Sequence, residues 1–285
     1  MSIEIKNVSY TYTPKTPFAQ QALKEVNLTI DKGEFVAVIG QTGSGKSTLA
    51  EHIAGLLKPS KGQVCIDGID VNESSPKAKS ARQKVGMVFQ YPEEQLFAET
   101  VYEDIAFGPR NQGKTPEEVD GAVRRAMAVV SLDFDTFANR SPFQLSGGQM
   151  RRVAMAGIFA METDYLILDE PSAGLDPQSR DNVFAQLMEI FNSRHIGIIL
   201  ITHSMEEAAL YAQRILVMSG GELRLDGKTR DIFLKSREEL TSAMVDVPES
   251  VKLTTELKTA GLKVEGLPLT KTELVTAIKK AKGWN

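Results

Sequence analysis

A single cysteine, Cys65, stands in 285 residues, so the chain can form neither an internal disulfide nor a cysteine zinc cluster. No apolar run approaches the roughly 18–20 residues needed to cross a bilayer, so any work at a membrane is expected to be done by docking onto another protein. No signal-peptide pattern follows Met1-Ser2-Ile3-Glu4-Ile5-Lys6, which together with the scarcity of cysteine predicts a location inside the cell. A strong charge of either sign is also missing. The net charge of -4 argues against broad affinity for nucleic acid.

What remains is the composition of an ordinary soluble globular chain, 42% hydrophobic and 25% charged. Its length suffices for a substantial core and for two units, since domains commonly run about 100–200 residues.

The most informative stretch is Gly40-Gln41-Thr42-Gly43-Ser44-Gly45-Lys46-Ser47-Thr48. It fills the pattern GxxxxGK[ST], with the apolar run Phe35-Val36-Ala37-Val38-Ile39 before it and a helical pattern after it. Its glycines let the backbone aim successive N–H groups at phosphate oxygens, and the helix adds the positive end of its dipole. Lys46 is placed to reach the β- and γ-phosphates, and the Ser47 hydroxyl to coordinate Mg²⁺. A plain Gly/Ser turn does not account for the complete pattern and its flanks. A dinucleotide-binding loop would need Gly or Ala at Thr48.

Taken in order, the chain opens with two alternating runs, 3–12 and 22–30, that read as half-exposed strands. Antiparallel alternation followed by a continuous apolar strand predicts a small β-subdomain on a parallel α/β core. Tyr10 and Tyr12 fit sheet packing as well as stacking on a base. Residues 62–68 read as another strand and 72–77 as a surface loop. The strand 85–89 ends at Gln90, whose neutral amide suits a Mg²⁺ ligand, a water-positioning group or an ordinary loop.

From about 91 to 161 the pattern is helical, a compact insert without a sustained heptad repeat. Thr100…Glu103 and Thr115…Glu118 have capping-box form. At its end Leu145-Ser146-Gly147-Gly148-Gln149 precedes a helical run, which makes either a second anion site or a simple N-cap turn. The run 165–168 then leads into Asp169 and Glu170, two carboxylates at the carboxyl end of a buried strand, where open α/β sheets bind ligands. Asp169 fits a Mg²⁺ partner for Ser47, and Glu170 fits a base for the attacking water. Asp176 caps a helix opened by Pro177. Of three histidines only His203 follows a core strand, with Ser204…Glu207 as a further capping box. Residues 215–225 read as a closing hairpin. The stretch 226–285 shows two helical patterns, one from Pro248 to Gly261 and one capped by Thr270, and no catalytic constellation. It reads as an appendage for subunit contact or a loosely ordered tail.

In this order the signals resemble the nucleotide-binding subunit of an ABC transporter. Residues 40–48 match its Walker A motif, 165–170 its Walker B motif with the catalytic glutamate, and 145–149 its LSGGQ signature. Gln90 falls at the Q-loop, 173–176 at the D-loop, His203 at the switch histidine, and Tyr12 at the aromatic residue that stacks on adenine. Three further segments, 17–23, 89–97 and Gln149-Met150-Arg151-Arg152, are similar to the ATPases of energy-coupling factor transporters, particularly the A-prime member of their ATPase pair. Ser204 departs from the aspartate common elsewhere in the wider family.

The resemblance implies a RecA-like P-loop ATPase domain over 1–225, with a helical subdomain over about 91–161 and an extension over 226–285. It implies a head-to-tail dimer, with a related paralogue favoured over a second copy, sandwiching two ATP molecules. Ser47, Gln90 and Asp169 would hold Mg²⁺, Glu170 would activate water and His203 would contact the γ-phosphate. Ser146, Gly147, Gly148, Gln149 and Asp176 would act on the partner's ATP. The insert would pass the motion to a transmembrane coupling subunit, while a separate membrane protein binds a vitamin or metal ion. The chain would lie at the cytoplasmic face of the cell membrane. The rivals are a soluble ATPase of DNA repair or translation, which would carry long coiled coils or tandem ATPase domains, a regulatory module without turnover, and a P-loop kinase. Glu170 and His203 speak against the module, and the 145–149 motif against the kinase.

Overall fold

The computed structural model describes residues 1–284. The strands are β1 (Ser2–Tyr12), β2 (Gln20–Asp31), β3 (Phe35–Gly40), β4 (Lys61–Ile66), β5 (Ile69–Asp70), β6 (Val85–Val88), β7 (Tyr165–Asp169), β8 (Gly197–Ile201), β9 (Arg214–Ser219) and β10 (Glu222–Lys228). The helices are α1 (Lys46–Ile53), α2 (Pro76–Arg82), α3 (Val101–Asn111), α4 (Pro116–Val129), α5 (Phe134–Phe137), α6 (Gly147–Ala160), α7 (Pro177–Arg194), α8 (Met205–Tyr211), α9 (Thr229–Lys235), α10 (Arg237–Ser242), α11 (Glu249–Thr259) and α12 (Lys271–Lys282). Two compact units divide the chain. One holds Ile3–Ile30, Glu34–Val64 and everything from Ile199 onward, and the other holds Cys65–Ile198 with Met1–Ser2 and Asp31–Gly33.

In the first unit, β9 pairs parallel with β3 and antiparallel with β10. All six residues of β3 are buried, as expected of a parallel strand covered on both faces, which explains its unbroken apolar sequence. The alternating strands β2 and β1 lie side by side in a separate, antiparallel-type layer. The last stretch of the chain is ordered as α9 to α12. Its small core includes Val251, Val264, Leu269 and Leu274, and Ser250 donates its hydroxyl to Leu269 O at 2.6 Å. Helices α9 and α10 lie where the sequence pattern marked no element.

In the second unit, β6 and β7 pair parallel and the insert is built from α3 to α6. Buried Val119, Ala122, Val123, Ala126 and Met127 recur at helical spacing and give α4 one apolar stripe, and α6 packs against α3 and α4. Thr115 and Glu118 form the full reciprocal capping box. Thr100 caps α3, but Glu103 does not reach back, because its carboxylate is bonded to the Arg110 guanidinium instead. In the first unit, the box expected at Ser204 fails in the same way. Glu207 is buried and accepts the Thr202 hydroxyl at 2.7 Å, while Ser204 N donates to Thr202 Oγ1. The loop expected over 72–77 is cut short at Ser75, which caps α2 by accepting from Ala78 N at 3.1 Å, with Pro76 in the first turn. Among the described residues no helix is long and apolar enough to cross a membrane.

Candidate functional site

The first unit carries the phosphate loop, Tyr12 and His203. The loop leaves β3 at Gly40 and enters α1 at Lys46. A Cβ at Gly40 (φ 153°) would meet Met218 O at 2.2 Å, and one at Gly45 (φ 102°) would meet Ala22 O at 2.5 Å. Both positions therefore require glycine, sterically as well as conformationally. Lys46 Nζ donates to Gly40 O at 2.9 Å and to Gln41 O at 3.0 Å, so the ammonium is hooked inside the loop it serves. No side chain caps the N-terminus of α1, and its first N–H groups are left for another acceptor. Ser44 Oγ is buried there without a hydrogen-bond partner. An uncapped helix start, a buried cation and an orphaned hydroxyl fit a polyphosphate.

Tyr12 stands beside this loop. Its hydroxyl lies 3.1 Å from Thr48 Oγ1 and donates to Glu51 Oε2 at 3.3 Å. Its ring meets Tyr10 edge to face at 4.9 Å, and Tyr10 in turn meets His52 at 4.7 Å. Burial, with the Glu51 carboxylate adding to it, pushes the Tyr12 phenol up. His52, which the sequence marks only as a helix residue, is wholly buried. Its Nδ1 pairs with Thr48 O at 2.7 Å. Burial pushes its imidazole pKa down, against that bond. His203 follows buried Thr202 at the end of β8 and is itself exposed.

The second unit carries Gln90, Asp169, Glu170 and the 145–149 motif. Asp169 ends β7 and is buried. Glu170 follows with φ 49°, a left-handed backbone that is uncommon for a residue with a side chain. Gln90 Nε2 donates to Glu170 Oε2 at 3.1 Å. Ser146 N donates to Gln149 Oε1 at 2.9 Å and Ser146 Oγ accepts from Gln149 N at 3.4 Å, so the start of α6 is boxed rather than bare. Gly147 and Gly148 nonetheless face open space, beside a cavity of about 330 Å³ lined by Ser146, Gly148, Gln149, Leu175 and Ser179. Asp176 caps α7 through Ser179, whose hydroxyl and backbone N–H hold its carboxyl below the usual range.

Among the described residues no cluster of three acidic, histidine or cysteine side chains could hold a metal unaided. Gln90 and Asp169 in the second unit, and Ser47 in the first, each carry an oxygen donor of the hard kind that suits Mg²⁺. Arg151 went unassigned in the sequence. It is buried in α6 and bonded to three backbone carbonyls around Glu170. The signal for it was an arginine at an inward position of a mainly apolar helix.

A family profile described as ABC transporter matches residues 23–173. The chain is 48% identical over 264 residues to the energy-coupling factor transporter ATP-binding protein EcfA2 of Clostridium perfringens, covering 93% of this chain and 92% of that one. It is 46% identical to the protein of the same name from Clostridium acetobutylicum, over 99% of this chain and 100% of that one. Among solved structures it is similar to cbiO1 from Clostridium perfringens, described as part of the ABC transporter complex cbiONQ, with TM-score 0.72 and 33% identity over 91% of this chain and 96% of that one. It is also similar to the dimeric ATP-binding cassette MJ0796 in a post-hydrolysis state with ADP and Pi, with TM-score 0.71 and 32% identity over 80% of this chain and 99% of that one.

Proposed function

The chain belongs to the ABC transporter family, among the ATP-binding proteins of energy-coupling factor transporters, and from that premise we propose how its residues divide the work of an ATP-hydrolysing importer motor. Residues 40–48 cradle the phosphates of ATP, with Lys46 against the β- and γ-phosphates and Tyr12 against the adenine. Ser47, Gln90 and Asp169 hold Mg²⁺, which when bound neutralises phosphate charge. Glu170 takes the proton of the attacking water, and His203 contacts the γ-phosphate.

The supporting observation is the phosphate loop itself, where Lys46 is held by Gly40 and Gln41 and Ser44 Oγ has no partner. A loop so charged and so undersatisfied is built around an anion that it expects to bind. The signature residues Ser146, Gly147, Gly148 and Gln149, with Asp176, serve ATP held by a second ATPase subunit, and a related paralogue is the favoured partner. The open space at Gly147 and Gly148 supports this, since nothing lies within 4 Å of a Cβ placed at either and a second subunit has room to approach there.

ATP then acts as a ligand that binds the closed dimer better than the open one, and hydrolysis with phosphate release reopens it. The insert passes this motion to a transmembrane coupling subunit, and a separate membrane subunit carries the vitamin or metal ion. The chain works at the cytoplasmic face of the membrane, touching it through partners alone. Ser146→Arg on this subunit is the decisive experiment. It should leave ATP binding to residues 40–48 intact and stop turnover at the site this signature closes. Undiminished phosphate release at both sites of the assembled complex would sink the cross-subunit reading.

A further inference from the structure

Arg151 is a cation placed where cations are costly. Its side chain is 5% exposed, and a buried guanidinium stays protonated, so its charge must be met locally. No carboxylate meets it at hydrogen-bond distance. Nη2 donates to Pro171 O at 2.6 Å and to Glu170 O at 3.4 Å, and Nη1 donates to Ala173 O at 3.2 Å. Three carbonyls of one turn therefore converge on one side chain of the signature helix.

That turn holds the backbone of Glu170 at φ 49°. A side-chain-bearing residue keeps such a conformation only where its surroundings over-determine it. The planar fork of an arginine bonded to carbonyls 170, 171 and 173 does so, and a lysine ammonium could not span the three with the same rigidity. The second relationship involves Nη1, the nitrogen that also donates to Ala173 O. Glu93, in the short 3-10 turn Pro92–Gln95, has Oε2 3.8 Å from Arg151 Nη1. Glu93 Oε2 and Arg151 Nε are both buried and have no hydrogen-bond partner. Oε2 and Nε thus keep unused bonding capacity, and the Oε2–Nη1 separation lies just beyond a hydrogen bond, so a shift of the 92–95 turn by about 1 Å would close it.

We propose that Arg151 is a positioning residue for Glu170, fixing the backbone of the catalytic carboxylate and linking it to the 92–95 turn through Glu93. Residues 90–95 then hold Glu170 twice, by the Gln90 amide on its side chain and by Glu93 through Arg151 on its backbone. A displacement of that turn reaches the carboxylate at both points. The inference rests on the assignment of Glu170 as the base.

The test compares Arg151→Lys, Arg151→Met, Glu93→Gln and Glu170→Gln in the assembled transporter, measuring kcat, KM for ATP and the melting temperature. Arg151→Lys should lower kcat about 10–100-fold, the loss that a displacement near 1 Å brings, with KM for ATP unchanged within about twofold. Glu93→Gln should lower kcat less, and combining it with Arg151→Met should add nothing to Arg151→Met alone. A folded Arg151→Lys and a folded Arg151→Met that both turn over at the parent rate, alongside an inactive Glu170→Gln, would overturn the positioning role. A fall in melting temperature with kcat intact would do the same, since it marks a structural role alone. Full turnover by Glu170→Gln would instead sink the base assignment, whatever Arg151 does.

Discussion

Gln90 and Glu170 are joined by one hydrogen bond, 3.1 Å from the amide Nε2 to the carboxylate Oε2, across 80 residues of sequence. A neutral donor on that oxygen orients the carboxylate without contributing charge of its own. Replacing Gln90 by Ala should therefore lower kcat about 10–100-fold by loosening the base. ATP affinity measured without Mg²⁺ should change little, because the phosphates are held by residues 40–48. Turnover and nucleotide binding measured side by side on Gln90→Ala check this, and an equal loss in both would contradict it.

Lys46 gives a contrasting expectation. Its ammonium bridges Gly40 O and Gln41 O, and the proposed phosphate contact would be charge-assisted. Lys46→Gln keeps a side chain that can still donate to one carbonyl but carries no charge. Binding of ATP should weaken by about tenfold to a hundredfold, the ~1.5–3 kcal/mol attached to a hydrogen bond made by a charged group. Titration with a fluorescent ATP analogue measures it, and unchanged affinity would exclude Lys46 from phosphate binding.

His52 predicts an acid-side signature. Burial, opposed by its bond to Thr48 O, holds its folded pKa below the ordinary histidine value, so the unfolded chain takes up the proton first as pH falls. The contribution of His52 is complete above about pH 6.5 and erodes as pH drops from there towards the lowered folded value. A His52→Leu variant should lose less stability than the parent between about pH 6.5 and 5, because it has no imidazole to protonate. Denaturant midpoints across that interval test it, and parallel pH slopes for the two proteins would count against it.

Much of this was legible in the residues. The six buried positions of β3 announce themselves as an unbroken apolar run, Gly40, Asp169 and Glu170 sit at strand ends where ligands gather, and Lys46 opens the helix after the phosphate loop. Local competition for side chains was harder to read. Glu103 and Glu207 have capping-box spacing, yet Arg110 and Thr202 claim them, and only tertiary structure brings those competitors within reach. Arg151 stayed hidden for a similar reason. Its partners are backbone carbonyls of 170, 171 and 173, and carbonyls leave no mark in a sequence. Helices α9 and α10 are short, seven and six residues, too brief for periodicity to separate them from turns.

The last expectation concerns the membrane partner. Phe97 and Phe107 are 60% and 51% exposed, and their rings pack edge to face at 4.9 Å. They border a cleft of about 190 Å³ that Pro92, Leu96, Ile158 and Met161 also line. Two large aromatic rings left in water beside an apolar cleft are the kind of surface that another protein covers, and the coupling subunit is the expected occupant. The cleft begins at the same 92–95 turn that bears Glu93, so a subunit seated there would press on the segment that holds Glu170. Phe107→Asp removes apolar area and adds a charge at a half-exposed position, where the folded chain should lose no more than about 0.5–1.5 kcal/mol, the worth of one aromatic pair. The variant should bind ATP normally and lose the coupling subunit on co-purification from membranes. Retention of that subunit at the parent level would move the docking surface elsewhere on the insert.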